Sequence, residues 1–436
     1  MAAPVRFHFR RQVARARRGP GVRPFGRGTV ASVALWSAVL TACGADSHPQ
    51  TTLDPASDIA RDIAGLQAMI FWWIMGVLVV VTAVLIYVLF RFRDRPDAPE
   101  PRRIHGNNTL EILWTLGPAV IVVLILVPTV KTIFRSYQEP PAGAVRVEAI
   151  AHQWWWEFRY PDLGVVTANQ IHVPTGRPVH LTLSSADVLH NFWAPRLAGK
   201  RYTYPRLPGP AAERENFNVL LFTVDEPGAY SGQCAEFCGI AHAFMRFQVV
   251  AMEGEAFEEW VADMGGAPSG EAPDSVAPGA AADTAASSEA RDTAAPAVAR
   301  DTAAPAGQAA APDAGAQDAT PRPPAADTTE TIPSTDQIER GRALFTSRPC
   351  VACHAIQGVS QGVIGPSLTR FGERWSVGAG AVDNTQENLE AWIRDPGAIK
   401  PGTKMPGARV EGGGMPPTNL TDDEVAAIAA YLLSLK

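Results

Sequence analysis

Residues 234–245 read CAEFCGIAHAFM and contain two cysteines, a histidine and a methionine. Thiolate, imidazole and thioether together form the soft ligand set that suits copper. An electron carrier needs such ligands on a rigid scaffold, and two bridging thiolates can share one electron between two coppers. Two coppers need a second imidazole, and His190, in ADVLHNFWAP at the end of a predicted strand, is the best candidate. A disulfide between Cys234 and Cys238 is the alternative interpretation.

The sequence around this motif is rich in short β-prone runs. From residue 145 to about residue 264, runs such as VRVEAIAHQWWWEFRY and NFNVLLFTVDEPGAYSG alternate with Pro/Gly turns. Closely spaced strands of this kind predict an all-β sandwich or barrel, with a domain at 143–264. The strand prediction includes Trp154 and Trp155, whose side chains are then expected on opposite faces.

Two uncharged runs precede the β-rich region. Residues 66–90 and 112–130 are each long enough to cross a hydrocarbon core of roughly 30 Å, so we predict a transmembrane helical hairpin at 66–135. The loop between the runs carries five arginines, namely Arg91, Arg93, Arg95, Arg102 and Arg103. By the positive-inside rule the loop is cytoplasmic, and both flanking regions lie outside.

The N-terminal region is typical of a targeting signal. The first 30 residues hold eight arginines and no acidic residue, although the whole chain has a formal charge of −6. An apolar run and LTAC follow, so we predict a lipoprotein-type signal peptide at 1–42, lipidation of Cys43 and an N-terminal segment at 43–65. The alternatives are an ordinary signal with an incidental cysteine and, more weakly, a nucleic-acid-binding arm.

The C-terminal third falls into two parts. Residues 265–333 are mostly Ala, Pro, Asp, Thr and Ser, which cannot bury a core and predict a disordered linker. Residues 334–436 are predicted to form an all-α domain, because STDQ and TDDE fit capping boxes before runs with helical apolar spacing.

This last domain contains CVACH, in which Cys350 and Cys353 have the spacing that clamps haem vinyl groups and His354 is placed to ligate iron. A zinc site is the alternative, but the domain has no second Cys or His pair. A methionine is expected as the sixth iron ligand, since it raises the haem potential. The candidates are Met405 in KPGTKMPG, which we favour, and Met415 in GGGMPPTNLTDDE.

Residues 66–264 resemble subunit II of the haem–copper respiratory oxidases, which joins a transmembrane hairpin to a cupredoxin domain with a dinuclear CuA centre. The resemblance implies six copper-ligand positions: His190, Cys234, Glu236 through its backbone carbonyl, Cys238, His242 and Met245. It also implies a magnesium ion bound by the Glu236 side chain at the boundary with subunit I. Quinol oxidases lack the copper ligands, and nitrous oxide reductase needs a His-rich domain that nine histidines cannot supply.

The same resemblance assigns roles outside the copper motif. It makes Trp154 the surface tryptophan at which electrons enter and places Asp187 near the face where a cytochrome docks. Glu111 matches a glutamate at which protons enter subunit I; the alternative is an acid favoured at a helix N-terminus. Residues 334–436 resemble class I cytochromes c, whose first and last helices cross, and KPGTKM matches their axial-methionine loop.

The expected function is that of the electron-accepting subunit of a cytochrome c oxidase. Electrons would pass from cytochrome c or another periplasmic donor to haem c, then to CuA, then to haem a in subunit I. The expected partners are subunits I and III and the membrane, without nucleic acid. We expect a bacterial cell membrane location with both soluble domains periplasmic. A membrane-anchored carrier or copper-assembly factor outside any oxidase is the alternative.

Overall fold

The computed structural model describes residues 48–93, 106–135, 139–205, 218–266 and 333–436. The predicted signal peptide at 1–42, the lipidated Cys43 and most of the predicted linker lie outside these ranges. Helices and strands are numbered in chain order.

Two long apolar helices come first, α1 (Asp58–Arg91) and α2 (Asn108–Arg135). Both are long and apolar enough to span a membrane, and most of their large apolar side chains are exposed. Pro118 and Pro128 lie inside α2, as transmembrane helices tolerate. The two predicted apolar helices are therefore confirmed.

Helix α1 begins eight residues before the predicted span because its first turn is fixed to the next domain. Ser57 caps the helix by accepting from the backbone N–H of Ala60, and its hydroxyl donates to the carbonyl of Leu197 at 2.5 Å. The carboxylate of Asp58 accepts from the backbone N–H of Thr223 at 2.8 Å.

The middle of the chain is a β-sandwich, as predicted. Its strands are β1 (Val145–His152), β2 (Trp155–Tyr160), β3 (Val165–Ala168), β4 (Gln170–Pro174), β5 (Pro178–Ser185), β6 (His190–Trp193), β7 (Arg201–Thr203), β8 (Asn218–Thr223), β9 (Gly228–Cys234) and β10 (Arg246–Met252). One sheet has the order β3-β2-β1-β5-β8, and the other has the order β4-β10-β9-β6-β7. Helix α3 (Gly254–Asp263) follows.

Within each sheet most neighbouring strands are antiparallel, but the pairs β1–β5 and β4–β10 are parallel. Between the two sheets lies an aromatic core. Trp156, Phe158, Phe192 and Phe247 are fully buried and meet mostly edge to face, while Phe192 and Phe247 stack at 4.2 Å. This close-packed core makes a rigid base for the loops at its edge.

The C-terminal domain is mainly helical, as expected. It contains α4 (Thr335–Ser347), α5 (Cys350–Cys353), α6 (Gln386–Arg394), α7 (Pro396–Ile399) and α8 (Asp422–Leu433). Two hairpins of two-residue strands add β11 (Ala355–Ile356), β12 (Ser360–Gln361), β13 (Ser376–Val377) and β14 (Val382–Asp383).

Both predicted helix starts are confirmed. Ser334 accepts from the backbone N–H of Gln337. At Thr421 the capping box is complete, because Thr421 and Glu424 each accept from the other's backbone N–H.

Candidate metal and haem centres

The CAEFCGIAHAFM segment leaves strand β9 at Cys234 and returns as strand β10. A short 3-10 turn, His242–Phe244, lies within it. The backbone N–H of Cys234 donates to the carbonyl of Met245 at 2.9 Å and so closes the loop. Phe192 of β6 pairs with Cys234 of β9, which brings His190 at the start of β6 to the same edge of the sandwich.

Soft ligand atoms converge in this loop. The sulfurs of Cys234 and Cys238 are 3.8 Å apart, and both cysteines are free rather than joined in a disulfide. His190 Nδ1 lies 3.8 Å from the Cys234 sulfur, and His242 Nδ1 lies 3.6 Å from the Cys238 sulfur. Met245 Sδ lies 3.8 Å from the Cys238 sulfur.

The backbone carbonyl of Glu236 lies 3.2 Å from the Cys234 sulfur. All six residues that the sequence singled out are therefore in one place. His190, Cys234, Cys238 and Met245 are also buried.

The hydrogen bond between the two cysteines shifts the pKa values of their thiols in opposite directions. The thiol of Cys238, hydrogen-bonded to the Cys234 sulfur, lowers the pKa of Cys234. In the same pair, the proximity of the Cys234 sulfur raises the pKa of Cys238. A cation between the two sulfurs would favour both thiolates, since metal ligands bind deprotonated. This donor set, two thiolates with two imidazoles and a thioether, fits copper.

Asp187 fixes the orientation of His190. Its carboxylate lies 2.9 Å from His190 Nε2, so that nitrogen carries the proton and Nδ1 keeps a lone pair toward the sulfurs. Burial alone would raise the pKa of Asp187, but hydrogen bonds from His190 and from the backbone N–H groups of Val188 and Gln153 lower it to about 2. The carboxylate therefore stays ionised in neutral solution.

Trp154 is not on a strand, and its predicted place on the surface is wrong. His152 and Trp155 form the last pair of the β1–β2 ladder, so Gln153 and Trp154 make the turn between the strands. The indole N–H of Trp154 donates to the carbonyl of Cys238 at 3.0 Å, and the side chain is only 9% exposed because the C-terminal domain covers it.

The second candidate centre lies around CVACH. His354 Nδ1 faces the carbonyl of Pro366 at 2.9 Å, so Nδ1 donates and Nε2 keeps a lone pair for a metal. Burial lowers the pKa of His354 and keeps the ring neutral, as an iron ligand must be. The thiols of Cys350 and Cys353 are free on the short helix α5 directly before it.

A buried cation nearby fits an anionic cofactor. Arg374 is 9% exposed, its guanidinium donates to the carbonyl of Ser367, and it lies over the Phe371 ring. Burial lowers the pKa of Arg374 to about 10, and within the described residues no carboxylate pairs with it. The indole N–H of neighbouring Trp375 is also buried without a partner there. Haem carries two propionate groups that would satisfy such donors, so these residues fit haem.

Met405 and Met415 lie in one folded-back loop. Gly412 and Met415 exchange two backbone hydrogen bonds, and a Cβ on Gly412 would come within 2.3 Å of the carbonyl of Met405. Both methionines are half-buried. The choice between them stays a prediction.

Glu111 lies in the first turn of α2, which Asn107 caps through its side-chain oxygen. This position fits a helix-stabilising acid, and the proton-entry role of Glu111 stays a prediction. Arg374, Trp375 and the buried Lys400 are further candidate functional residues that the sequence does not predict. The only sequence feature that could have indicated these residues is their position in the chain between or within the CVACH and KPGTKM motifs.

A membrane-anchored chain with a soft metal site on a β-sandwich and a CVACH domain defines a respiratory electron-transfer protein. Its sequence matches "Cytochrome C oxidase subunit II, transmembrane domain" over residues 47–132 and "Cytochrome C oxidase subunit II, periplasmic domain" over residues 164–252. It matches "Cytochrome c" over residues 338–436. The chain belongs to the cytochrome c oxidase subunit II family, with a cytochrome c domain fused at its C-terminal side.

Bacterial relatives match over nearly the whole chain. Cytochrome c oxidase subunit 2 of Alkalihalophilus pseudofirmus is 30% identical over 91% of this chain and 94% of its own length. The cytochrome c oxidase subunit 2 of Bacillus subtilis is 28% identical over 93% of this chain and 96% of its own length. The periplasmic domain of subunit II of cytochrome oxidase from Bradyrhizobium japonicum, a solved structure, is 25% identical over 29% of this chain and 97% of that chain, with a TM-score of 0.26.

The predicted family, fold class and enzyme class are thus confirmed. The chain is a membrane-anchored subunit of a haem–copper oxidase, and its family domains support a haem and copper.

Proposed function

We propose that this chain receives electrons for a cytochrome c oxidase through covalent haem c, bound by Cys350, Cys353 and His354, and a dinuclear CuA centre. Held by these residues, the haem and the copper would each supply a one-electron redox centre, so that oxidation of the haem would balance reduction of the copper without any further reactant. Subunit I would then receive the electron for oxygen reduction and proton translocation.

One observation carries the proposal: two free thiols, two imidazole nitrogens and a thioether, from strand β6 and from the segment that joins β9 to β10, each lie 3.6–3.8 Å from a cysteine sulfur. Cys234 and Cys238, with His190 and His242, would supply the soft thiolate and imidazole ligands that two coppers need. Met245 and the carbonyl of Glu236 would be weak ligands, and the Glu236 side chain would reach magnesium at the subunit I boundary.

The complex would also contain subunit III, and the donor would be cytochrome c or another periplasmic carrier. The arginines between α1 and α2 favour a cytoplasmic loop, which puts both soluble domains on the periplasmic side. The proposed domains are a signal at 1–42 with lipidated Cys43, the hairpin at 66–135, the cupredoxin domain at 143–264, the linker at 265–333 and the cytochrome domain at 334–436. Protons would enter subunit I near Glu111.

The substitution Cys234→Ser tests the proposal in the purified oxidase. It removes one bridging thiolate, so the mixed-valence copper signal in EPR and the turnover of reduced donor should both disappear. Haem c should stay attached and reducible, since its ligands lie in another domain.

Ser231→Ala, a small change on the same strand outside the ligand set, is the control and should keep both signals. A copper signal that survives in Cys234→Ser would refute the ligand assignment. Loss of covalent haem in the same variant would show that the two centres are not independent.

A further inference from the structure

The C-terminal domain contacts the β-sandwich through a buried lysine. Lys400 directly follows helix α7 and is only 4% exposed. Its Nζ donates to the carbonyl of Trp154 at 2.6 Å and to the carbonyl of Gly378 at 2.7 Å. One side chain therefore ties the β1–β2 turn of the sandwich to a turn of the cytochrome domain.

Burying an ammonium group is costly unless it is paired. Burial lowers the pKa of Lys400 to about 7. Both contacts of Nζ are backbone carbonyls. A lysine in such a place contributes little stability compared with an apolar side chain of equal length, so its contacts fit a role in orientation.

The backbone next to Lys400 lies on the indole ring of Trp154. Gly402 has a φ of +83°, and a Cβ built there would lie 2.8 Å from Trp154 Cη2 and 2.5 Å from Ile240 Cγ2. The indole N–H in turn donates to the carbonyl of Cys238. Contacts thus run without a break from the loop that holds Met405 to a proposed copper ligand.

Two further contacts between the domains lie around the contact of Lys400 with Trp154. The backbone N–H of Arg246 donates to the carbonyl of Ala379 at 3.0 Å. Arg370 of the cytochrome domain pairs with Asp263 of α3 at 3.0 Å. The ion pair is largely exposed on its acidic side and contributes little by itself. Of these contacts, the hydrogen bonds of Lys400 are made by a buried charged side chain.

We propose that Lys400 is a positioning residue that holds the 400–405 loop on Trp154. In this arrangement Trp154 serves the chain's own haem and is closed to external donors, which must deliver their electrons to the cytochrome domain. The inference rests on the proposed transfer from haem c to copper. It adds two statements to that proposal: the place where the two domains meet and the residue that sets their contact.

The test compares Lys400→Met with Lys404→Met in the purified oxidase. Methionine has a similar length and no donor, so the first variant removes the two hydrogen bonds to the carbonyls. Lys404 is exposed in the same loop, and its substitution makes the same change of charge without touching Trp154.

Two readouts separate docking from function. The first is oxidation of Trp154 by hydroxyl radicals, measured by mass spectrometry, which reports exposure of the ring whether or not electrons flow. The second is the rate of haem-to-copper transfer after flash reduction of the haem. We expect Lys400→Met to expose Trp154 and to slow the transfer by about ten-fold or more, because small misplacements at a reacting contact cost large factors in rate. Haem potential and the copper EPR signal should not change, and Lys404→Met should match the unmodified chain.

A second pair of variants tests the same contact in case Lys400→Met does not fold. Gly402→Ala drives a methyl group into Trp154 and Ile240, so it should also expose the indole and slow the transfer. Gly358→Ala is matched for backbone strain, with a φ of +71° and nothing within 4 Å of the added Cβ. It should leave both readouts unchanged.

The outcomes are distinct. If Trp154 stays protected in both Lys400→Met and Gly402→Ala, Lys400 does not set the docking and the inference is overturned. If Trp154 becomes exposed but the transfer rate holds, the route through the covered tryptophan is wrong, whereas the proposed function survives. If the unmodified chain shows no haem-to-copper transfer, the proposed function fails, whatever the footprint of Trp154.

Discussion

At the scale of single residues, the axial ligand of the haem is the sharpest open choice. Met405→Ala should lower the haem potential, because a thioether favours ferrous iron, and should remove the weak sulfur-to-ferric absorption band. The shift falls within the roughly 0.8 V over which axial ligands set haem potentials. Met415→Ala should be nearly silent. A redox titration followed optically measures both effects.

The two variants control each other, because both methionines are half-buried in the same loop. The reverse pattern would move the ligand to Met415 and make KPGTKM an ordinary turn. Retention of the band in both variants would rule out methionine ligation.

The residues with donor atoms could be predicted from sequence, since thiol, imidazole and thioether chemistry is visible in CAEFCGIAHAFM and CVACH. The residues that orient them could not. The hydrogen bond from His190 to Asp187 and the contact of Lys400 with Trp154 depend on how turns meet in space. Lys400 and Trp154 are 246 residues apart in the chain. No local pattern predicts such a pair.

At the scale of elements, the crossing of α4 and α8 depends on one glycine. A Cβ on Gly341 would lie 2.0 Å from the carbonyl oxygen of Ala427 and 2.8 Å from Tyr431 Cβ, and Phe345 packs on Tyr431 at 5.9 Å between ring centroids. Gly341→Ala must therefore push the helices apart. We expect a loss of about 1–3 kcal/mol, typical of overpacking.

Thermal unfolding followed at the haem absorbance should show this loss as a melting temperature lower by several degrees, with the copper EPR signal unchanged. Gly397→Ala is the matched control, because its added Cβ would meet only the Asp395 side chain at 3.3 Å. Equal stability of the two variants would mean that the helices do not cross this closely in solution.

Elements were predicted well where one physical signal dominates. The apolar length of α1 and α2 and the capping residues Ser334 and Thr421 each correspond to an observed helix. The start of α1 at Asp58 was missed because contacts with the sandwich, not apolarity, fix it. The sequence predicts a strand at Trp154 because the alternating pattern continues through a tight turn without a break.

At the scale of the whole molecule, the segment between the two soluble domains should act by keeping the haem domain close to the copper site. The chain between residues 266 and 333 lies outside the described structure, and its composition predicts a flexible tether. About 66 such residues have a root-mean-square reach of roughly 45 Å. A tether of this kind gives an effective concentration well above that of a dilute partner in solution.

A protease site inserted in this segment tests that role. The uncut protein should transfer electrons from haem to copper at a rate that does not depend on dilution. After cleavage, the same transfer at low protein concentration should slow by about ten-fold or more and become concentration-dependent, since the second domain then binds as a separate molecule. The uncut variant with the same insertion is the control. If the cleaved protein keeps its rate on dilution, the interface around Lys400 and Trp154 holds the domains together by itself, and the tether is not what makes the transfer efficient.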